Sequence, residues 1–207
     1  MHYLTRIKLD TNNRKTQLAL GNPSIFHGAI EESLGYGEGR NLWRIDTVGG
    51  SKFLLISSED IPGTESIVDQ FGEDVPANTK EYGSYINGIS NGELMRFRLE
   101  ANPVYTYVDE NGKKHKLAHT TTDHQLKWLE RQAGKFGFGI VSSDIKSVSR
   151  YSFPHEKTSR PITFVSVVYE GILEVADSDI LKKALVNGIG KNKAFGMGML
   201  TVSRIRG

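Results

Sequence analysis

Two hydrophobic periodicities alternate along the first half of the chain. Residues 3–9 (YLTRIKL) place apolar side chains at every second position, which predicts a β-strand. After Asn22-Pro23, apolar residues recur at a spacing of three and four, which predicts a helix that Gly35 closes. The other predicted elements are a β-hairpin of strands 40–46 and 52–57 around Gly49-Gly50, a helix that begins at Thr64, and a strand within 84–90. Their order, β-α-β-β-α-β, is that of a ferredoxin-like domain.

The same order of elements recurs in the second half, although the two halves show no visible sequence self-similarity. The predicted elements are strands at 94–101, 104–108 and 113–118, a helix from Thr122 to Gly134, strands at 136–141, 145–151 and 162–170, a helix over 178–187 capped by Ser178, and a last strand at 197–205. We therefore predict an α+β fold of two tandem ferredoxin-like (RRM-like) βαββαβ domains. The N-terminal domain is predicted at 1–92 and the C-terminal domain at 93–207.

Composition agrees with a folded chain and narrows its chemistry. The 207 residues suit one large or two small domains, and 38% hydrophobic with 24% charged residues is typical of a soluble globular protein. No apolar run approaches the roughly 18 residues that span a bilayer, and the first residues contain no signal-peptide core, so we predict a cytoplasmic location without membrane contact. The absence of cysteine excludes disulfides, thiolate catalysis and cysteine-ligated metals.

The nearly balanced net charge of +2 conceals an asymmetry between the two halves. Residues 1–110 carry 10 Lys and Arg against 16 Asp and Glu, whereas residues 111–207 carry 16 against 8. A basic half next to an acidic half indicates that the basic half faces a polyanion, although a chance distribution explains the split equally well.

The most informative motif is the segment GIGKNKAFGMG, which joins the last predicted helix to the last strand. Its glycines permit close backbone approach to a ligand, and exposed N–H groups with lysine side chains suit an anion. The segment lies between a helix and a strand and lacks Gly-Lys-Ser/Thr, so it is not a P-loop. A connection that lets two layers pack explains the glycines equally well. Its candidate binding residues are Gly188, Gly190, Lys191, Lys193, Gly196 and Gly198.

His27 is the candidate for proton transfer. It follows Phe26 on the first predicted helix, beside the apolar side of that helix. Imidazole has an ordinary pKa near ~6.5, which suits acid–base catalysis close to neutrality. A lone helical histidine is more often a structural or surface residue, so the pattern alone favours that interpretation.

Two further groups of residues carry weaker signals. The stretch from Arg150 to Arg160 mixes basic and aromatic side chains, Lys157 among them, which suits phosphate and groove contacts in RNA as well as an ordinary hydrophilic loop. His115, His119 and His124 have ligand-like spacings, but no carboxylate recurs in register with them, so a metal site is not predicted.

Taken together, these motifs resemble the CasE family of CRISPR RNA-processing endoribonucleases of type I-E systems. The resemblance runs nearly from end to end, and the closing glycine segment and RFRLEANP are its most specific parts. The matching segments are YLTRIKL, NPSIFH with His27, LWRID, RFRLEANP, QLKWLER, VVYEGILEV and GIGKNKAFGMGMLTV.

The resemblance implies tandem ferredoxin-like domains that bind the repeat hairpin of precursor CRISPR RNA. It implies one cut at the 3′ base of that hairpin by the upstream 2′-hydroxyl, with neither metal nor cofactor. The cut RNA stays bound, and the protein joins other subunits of the Cascade complex. The catalytic histidine of the family corresponds to His27, and its glycine loop corresponds to the segment from Gly188 to Gly198.

One position departs from the family pattern. Some members carry an assisting tyrosine three residues before the histidine, where this chain has Ser24. Serine can hydrogen-bond a phosphate or a 2′-hydroxyl but lacks the acidity of a phenol. Three functions therefore stay open: an RNA endonuclease, a hairpin-binding subunit that has lost cleavage, and a small-molecule enzyme, which the basic second half disfavours.

Overall fold

A computed structural model describes residues 1–35, 39–155 and 158–205. The first half forms a four-stranded antiparallel sheet with helices on one face. Its elements are β1 (Tyr3–Lys8), α1 (Arg14–Gly21), α2 (Ser24–Ser33), β2 (Leu42–Val48), β3 (Ser51–Ser58), α3 (Thr64–Phe71), β4 (Asn78–Glu81) and the short helix α4 (Gly83–Asn87). The strand order is β2-β3-β1-β4, which is the order of a ferredoxin-like sheet.

The second half repeats this topology. Its elements are β5 (Leu94–Ala101), β6 (Val104–Val108), β7 (Lys114–Ala118), α5 (Thr122–Lys135), β8 (Phe138–Phe153), β9 (Ile162–Val175), α6 (Ser178–Asn187), a 3₁₀ turn (Lys193–Phe195) and β10 (Leu200–Arg204). The sheet order β10-β5-β9-β8 places the fourth, first, third and second strands of the motif side by side, as in the first sheet. The hairpin β6–β7 is an insertion between β5 and α5. The predicted tandem ferredoxin-like fold is therefore confirmed.

The junction between the halves differs from its prediction. The strand expected within 84–90 is wrong, because the fourth strand of the first sheet lies earlier, at Asn78–Glu81, and Gly83–Asn87 is helical. Tyr82, Ile86 and Ile89 pack into the core of the second sheet. Their apolar spacing thus reports contacts with the second half, and the proposed domain boundary after residue 92 stays a prediction.

Helix α1 was missed because its sequence carries little amphipathic signal. Only Thr16 and Ala19 are buried in it, whereas Leu18 is exposed. Asn13 caps the helix by accepting the backbone N–H of Lys15. Packing against α2 and α3 holds the helix, as is usual for short helices in proteins.

Several predicted bounds also change. The separate strands at 136–141 and 145–151 form one strand, β8, whose pairing with β9 shifts between Ile140 and Ser142 and between Ile145 and Ser147. These irregularities interrupt the alternation that the sequence pattern relies on. Helix α6 is capped by Asp177 rather than Ser178, because the Asp177 carboxylate accepts two backbone N–H groups of the first turn. Among the described residues, no helix is long and apolar enough to cross a bilayer.

Candidate active site and nucleic-acid interface

Helix α2, which carries His27, borders a cleft between the two halves through Phe26. Phe26 and Ile30 are buried and fix the helix against the first sheet, which leaves the His27 side chain 38% exposed. The 3₁₀ turn Lys193–Phe195 of the glycine-rich segment contacts α2 and β2. The fold thus brings the helix that carries the candidate acid–base group into contact with the glycine segment, although the two are more than 150 residues apart in the chain.

Ser24 contributes to the start of this helix. The helix begins at Ser24, one residue later than predicted, with Pro23 in the capping position. The Ser24 hydroxyl donates to Asn22 Oδ1 at 2.6 Å, and the Ser24 backbone N–H points to the same oxygen at 3.2 Å. The hydroxyl proton of Ser24 is therefore engaged within the protein, which leaves its oxygen lone pairs as the groups available to a ligand.

Glu31 is a neighbour of His27 that sequence reasoning missed. It lies one turn along α2, and its Oε1 is 3.8 Å from His27 Nδ1. The same carboxylate oxygen accepts from Asn41 Nδ2 at 3.2 Å. Since 3.8 Å exceeds hydrogen-bond distance, Glu31 places negative charge beside the imidazole without holding it directly.

The glycines of the loop have left-handed backbone, and their Cα positions face protein atoms. Positive φ angles occur at Gly188 (71°), Gly190 (85°), Gly196 (81°) and Gly198 (88°). A Cβ on Gly196 would lie 2.8 Å from the Trp43 ring, and one on Gly198 would lie 2.4 Å from a backbone oxygen of Ile189. Both distances are too short for any side chain, so Gly196 serves the packing of the loop on the first sheet and Gly198 serves the packing of the loop on itself.

Four cations converge beside the loop, and sequence reasoning identified only two of them. The charge of Lys191 lowers the pKa of Lys116 on β7, and burial together with the charges of Arg40 and Lys191 lowers the pKa of Lys193. The Lys193 ammonium donates to the backbone oxygen of Gly190 at 2.8 Å. Within the described residues, no carboxylate forms an ion pair with any of the four. Repelling cations without an acidic partner form a site suited to phosphate.

The basic-aromatic stretch from Arg150 to Arg160 lies only partly in a loop. Arg150 is exposed on β8, Arg160 is exposed between β8 and β9, and Lys157 lies outside the described residues. The end of this hairpin reaches the glycine segment through aromatic contacts, because Phe195 lies 5.3 Å from Phe153 between ring centroids. The two candidate RNA-binding segments are therefore packed against each other.

An ion-pair network joins the two sheets beneath the cleft. Arg44 on β2 is 2% exposed, and its guanidinium donates to both oxygens of Asp46 at 2.8 Å. It also crosses to the second sheet, where Met199 O accepts at 2.9 Å. Arg98 on β5 donates to Asp46 at 2.9 Å and pairs with Glu170. This network fixes the distance between the strands that flank the cleft.

The three histidines considered for a metal lie beside other side chains. His115 Nε2 is 2.6 Å from Asp109 Oδ2 within the β6–β7 hairpin. The rings of His119 and His124 are 5.6 Å apart, and Arg131 lies beside His119. Among the described residues, no three His, Asp or Glu side chains are grouped as a metal site requires.

Comparison with known proteins gives consistent results. A family model described as "CRISPR associated protein" matches residues 2–204. The CRISPR-associated endoribonuclease Cse3 of Thermus thermophilus is 26% identical over 97% of this chain and 99% of its own length. The Cascade subunit CasE of Escherichia coli is 27% identical over 54% of this chain and 59% of its own length. A structure of Thermus thermophilus Cse3 bound to an RNA that represents a pre-cleavage complex superposes with a TM-score of 0.81 at 25% identity, covering 98% of each chain.

Proposed function

This chain belongs to the CRISPR-associated protein family, and we propose that it is a metal-independent endoribonuclease that cuts the repeat hairpin of precursor CRISPR RNA. The observation that carries the proposal is the position of half-buried His27 on α2, the helix that contacts a cation-rich loop with no acidic partner among the described residues. Full-length similarity to an endoribonuclease, and to its complex with RNA, supports the same function.

The reaction needs proton transfer and charge stabilisation. The 2′-hydroxyl oxygen upstream of the cut attacks phosphorus and loses its proton, while the P–O5′ bond breaks and the departing 5′ oxygen gains a proton. The products are a cyclic 2′,3′-phosphate, which water can open to a 3′-phosphate, and a 5′-hydroxyl. His27 carries one of the two proton transfers, and an imidazole at this position suits both roles. Ser24 is a weaker candidate, because its hydroxyl proton is held by Asn22.

RNA binding belongs to the basic surface beside His27. Lys191 and Lys193 on the loop, joined by Arg40 and Lys116, contact the phosphates nearest the cut. The glycines of the loop hold these lysines in place through packing on Trp43 and on Ile189. Contacts with the stem are assigned to Arg150, Lys157 and Arg160.

The fate of the cut RNA and the partners of this protein are inferred from the family to which the chain belongs. The cut RNA stays bound to this protein, which works in the cytoplasm as a subunit of a Cascade complex. The Escherichia coli relative is named as a subunit of such a complex. Retention of the product requires high affinity, to which the positive charge of the second half contributes by neutralising phosphates.

A hairpin-binding subunit without cleavage is the second candidate, and Ser24 is the feature that leaves it open. Serine supplies no phenol at this position, and its hydroxyl is engaged in the start of α2. The two candidates differ in chemistry alone, because both bind the same RNA.

Incubation of the purified protein with end-labelled repeat hairpin in EDTA separates the possibilities. Cleavage at one position, with 5′-hydroxyl and cyclic phosphate ends, is the expected result. Hairpin in which the upstream sugar is 2′-deoxy should bind and stay intact. Binding without cleavage of the natural RNA would favour the inactive subunit, and cleavage of the deoxy RNA would refute the nucleophile.

A further inference from the structure

A cavity of about 200 Å³ opens between the two halves, next to the helix that carries His27. Pro23 and Phe26 form one side of the cavity, and the loop residues Phe195 to Met197 form the opposite side. The other lining residues are Ala19, Leu20, Trp43, Ile45, Thr47, Lys52, Glu100 and Tyr151. At ~30 Å³ per water this space holds about six or seven waters, whereas pockets for drug-sized ligands begin at about 300 Å³. Its size suits a single heteroaromatic ring.

The walls of the cavity include buried polar groups, one of which has no hydrogen-bond partner among the described residues. The indole of Trp43 is 3% exposed, and its N–H has no hydrogen-bond partner in the described part of the chain. Burial raises the pKa of Glu100, one oxygen of which accepts from the Ser166 hydroxyl at 2.5 Å. Burial and the charge of Glu100 raise the pKa of Tyr151. An unpartnered buried donor is costly. Because protein atoms enclose the indole N–H, a ligand in the cavity reaches this donor only after a small shift of the wall.

We propose that this cavity binds one unpaired nucleobase of the RNA, adjacent to the phosphate at which the strand is cut. The proposal rests on the proposed function and specifies which part of the substrate the cleft recognises. Single-stranded RNA is read by proteins through bases stacked on aromatic side chains and hydrogen-bonded along their edges. Phe195 and Tyr151 supply rings, Trp43 supplies a donor, and Glu100 supplies an acceptor.

The position of the cavity relative to the cations supports a nucleotide over a free aromatic compound. Lys193 and Phe195 lie on the same 3₁₀ turn, which puts a cation and an aromatic wall of the cavity within one turn of backbone. Lys193 in turn belongs to the group with Arg40 and Lys191. A base in the cavity would therefore have its own phosphate beside the cations and beside α2, where His27 lies.

The first test removes the base and leaves the backbone unchanged. Hairpins with a 2′-deoxy sugar upstream of the cut, which prevents cleavage, and with one abasic nucleotide at each position around the cut are bound to the wild-type protein, and Kd is measured at fixed salt. We expect one position at which loss of the base raises Kd about tenfold, since stacking of a base on aromatic side chains has an effect of this size. Abasic changes of less than about twofold at every position would overturn the proposal, because stacking alone should exceed that.

The second test removes the unpartnered donor. Trp43→Phe retains an aromatic ring, and Trp128→Phe is a matched control because Trp128, which packs in the second core and beside Gly190, does not line the cavity. The abasic effect should shrink in Trp43→Phe and persist in Trp128→Phe, with thermal unfolding used to confirm that both are folded. An abasic effect of equal size in Trp43→Phe and wild type would assign the base to another site.

A spectroscopic measurement covers the case in which Trp43→Phe does not fold. The chain contains two tryptophans, so Trp43 is the sole indole in Trp128→Phe, and intact RNA should quench its emission more than RNA abasic at the sensitive position. Equal quenching by both RNAs would contradict the proposal. The proposed function is tested separately. If intact RNA is cleaved but no abasic position weakens binding, the cavity assignment is refuted and the proposed function stands.

Discussion

The link between the two sheets predicts a large cost when one residue, Arg44, is replaced. Its guanidinium donates to both carboxylate oxygens of Asp46, to the backbone oxygens of Arg98 and Met199, and to the Thr201 hydroxyl. Arg44→Met keeps an unbranched apolar side chain and removes every one of these donors. The two backbone oxygens belong to the second half, so the change acts on the contact between the halves.

The loss of unfolding free energy in Arg44→Met depends on the buried groups that lose their partner. Removal of one partner from a buried ion pair costs about 3–5 kcal/mol. Asp46 retains its bond from Arg98 at 2.9 Å, which places the expected loss at the lower end, about 3 kcal/mol. For a chain of this size, about 2–4 °C is lost per kcal/mol, so we expect Tm to fall by about 6–12 °C. The Tm of Arg44→Lys should lie between those of the wild type and Arg44→Met, since an ammonium keeps the charge without the bidentate geometry.

Urea unfolding followed by fluorescence measures the loss of unfolding free energy, and calorimetry measures the fall in Tm. Arg6→Met is the matched control, because Arg6 is an exposed arginine of the first sheet that lies over the Phe53 ring at 5.0 Å. That change should cost about 1 kcal/mol or less. Equal losses for Arg44→Met and Arg6→Met would show that the network between the sheets contributes no more than a surface contact.

Three other changes have defined outcomes. Gly196→Val should lower Tm and RNA affinity together, because a Cβ there would meet an indole ring; loss of affinity with an unchanged Tm would place the glycine against RNA instead. Replacing Lys191 and Lys193 by Ala should flatten the log–log dependence of affinity on salt by up to about two units, and an unaltered slope would remove the loop from the RNA interface. Burial tends to raise the pKa of Asp46, but the hydrogen bonds and charges of Arg44 and Arg98 outweigh it and lower that pKa. The stabilisation by ionised Asp46 is therefore present above the ordinary carboxyl pKa and lost as pH falls further. The difference in urea midpoint between wild type and Asp46→Asn should narrow from about pH 7 to about pH 3. A difference that stays constant over this range would contradict the prediction.

The elements that could be predicted are those whose pattern reports local burial. Strict alternation at residues 3–9 and 94–101 corresponds to β1 and β5, because each strand has one face on a core. The pattern failed where burial comes from elsewhere in the chain. Residues 84–90 carry apolar side chains that pack on the second sheet, and α1 is held by neighbouring helices with few apolar residues of its own.

The residues of the candidate site also divide into those that the sequence could reveal and those that it could not. His27 and the loop lysines could be proposed because a family resemblance points to single positions in the sequence. Arg40, Lys116 and Arg44 could not, because nothing near each of them in the chain marks its role. Arg40 and Lys116 join Lys193 and Lys191 through tertiary contacts, and the donors of Arg44 reach oxygen atoms up to 157 residues away. A pattern of local periodicity contains no information on such pairs.

The central claim, that His27 carries proton transfer in RNA cleavage, is tested most directly by single-turnover kinetics on His27→Ala with the repeat hairpin in EDTA. His124→Ala is the matched control, since it removes an imidazole from an exposed helical position in the second half. We predict that His27→Ala lowers the cleavage rate by about 10²–10⁴-fold while Kd changes less than about twofold, and that His124→Ala cleaves at the wild-type rate. Cleavage by His27→Ala at the wild-type rate would contradict the account.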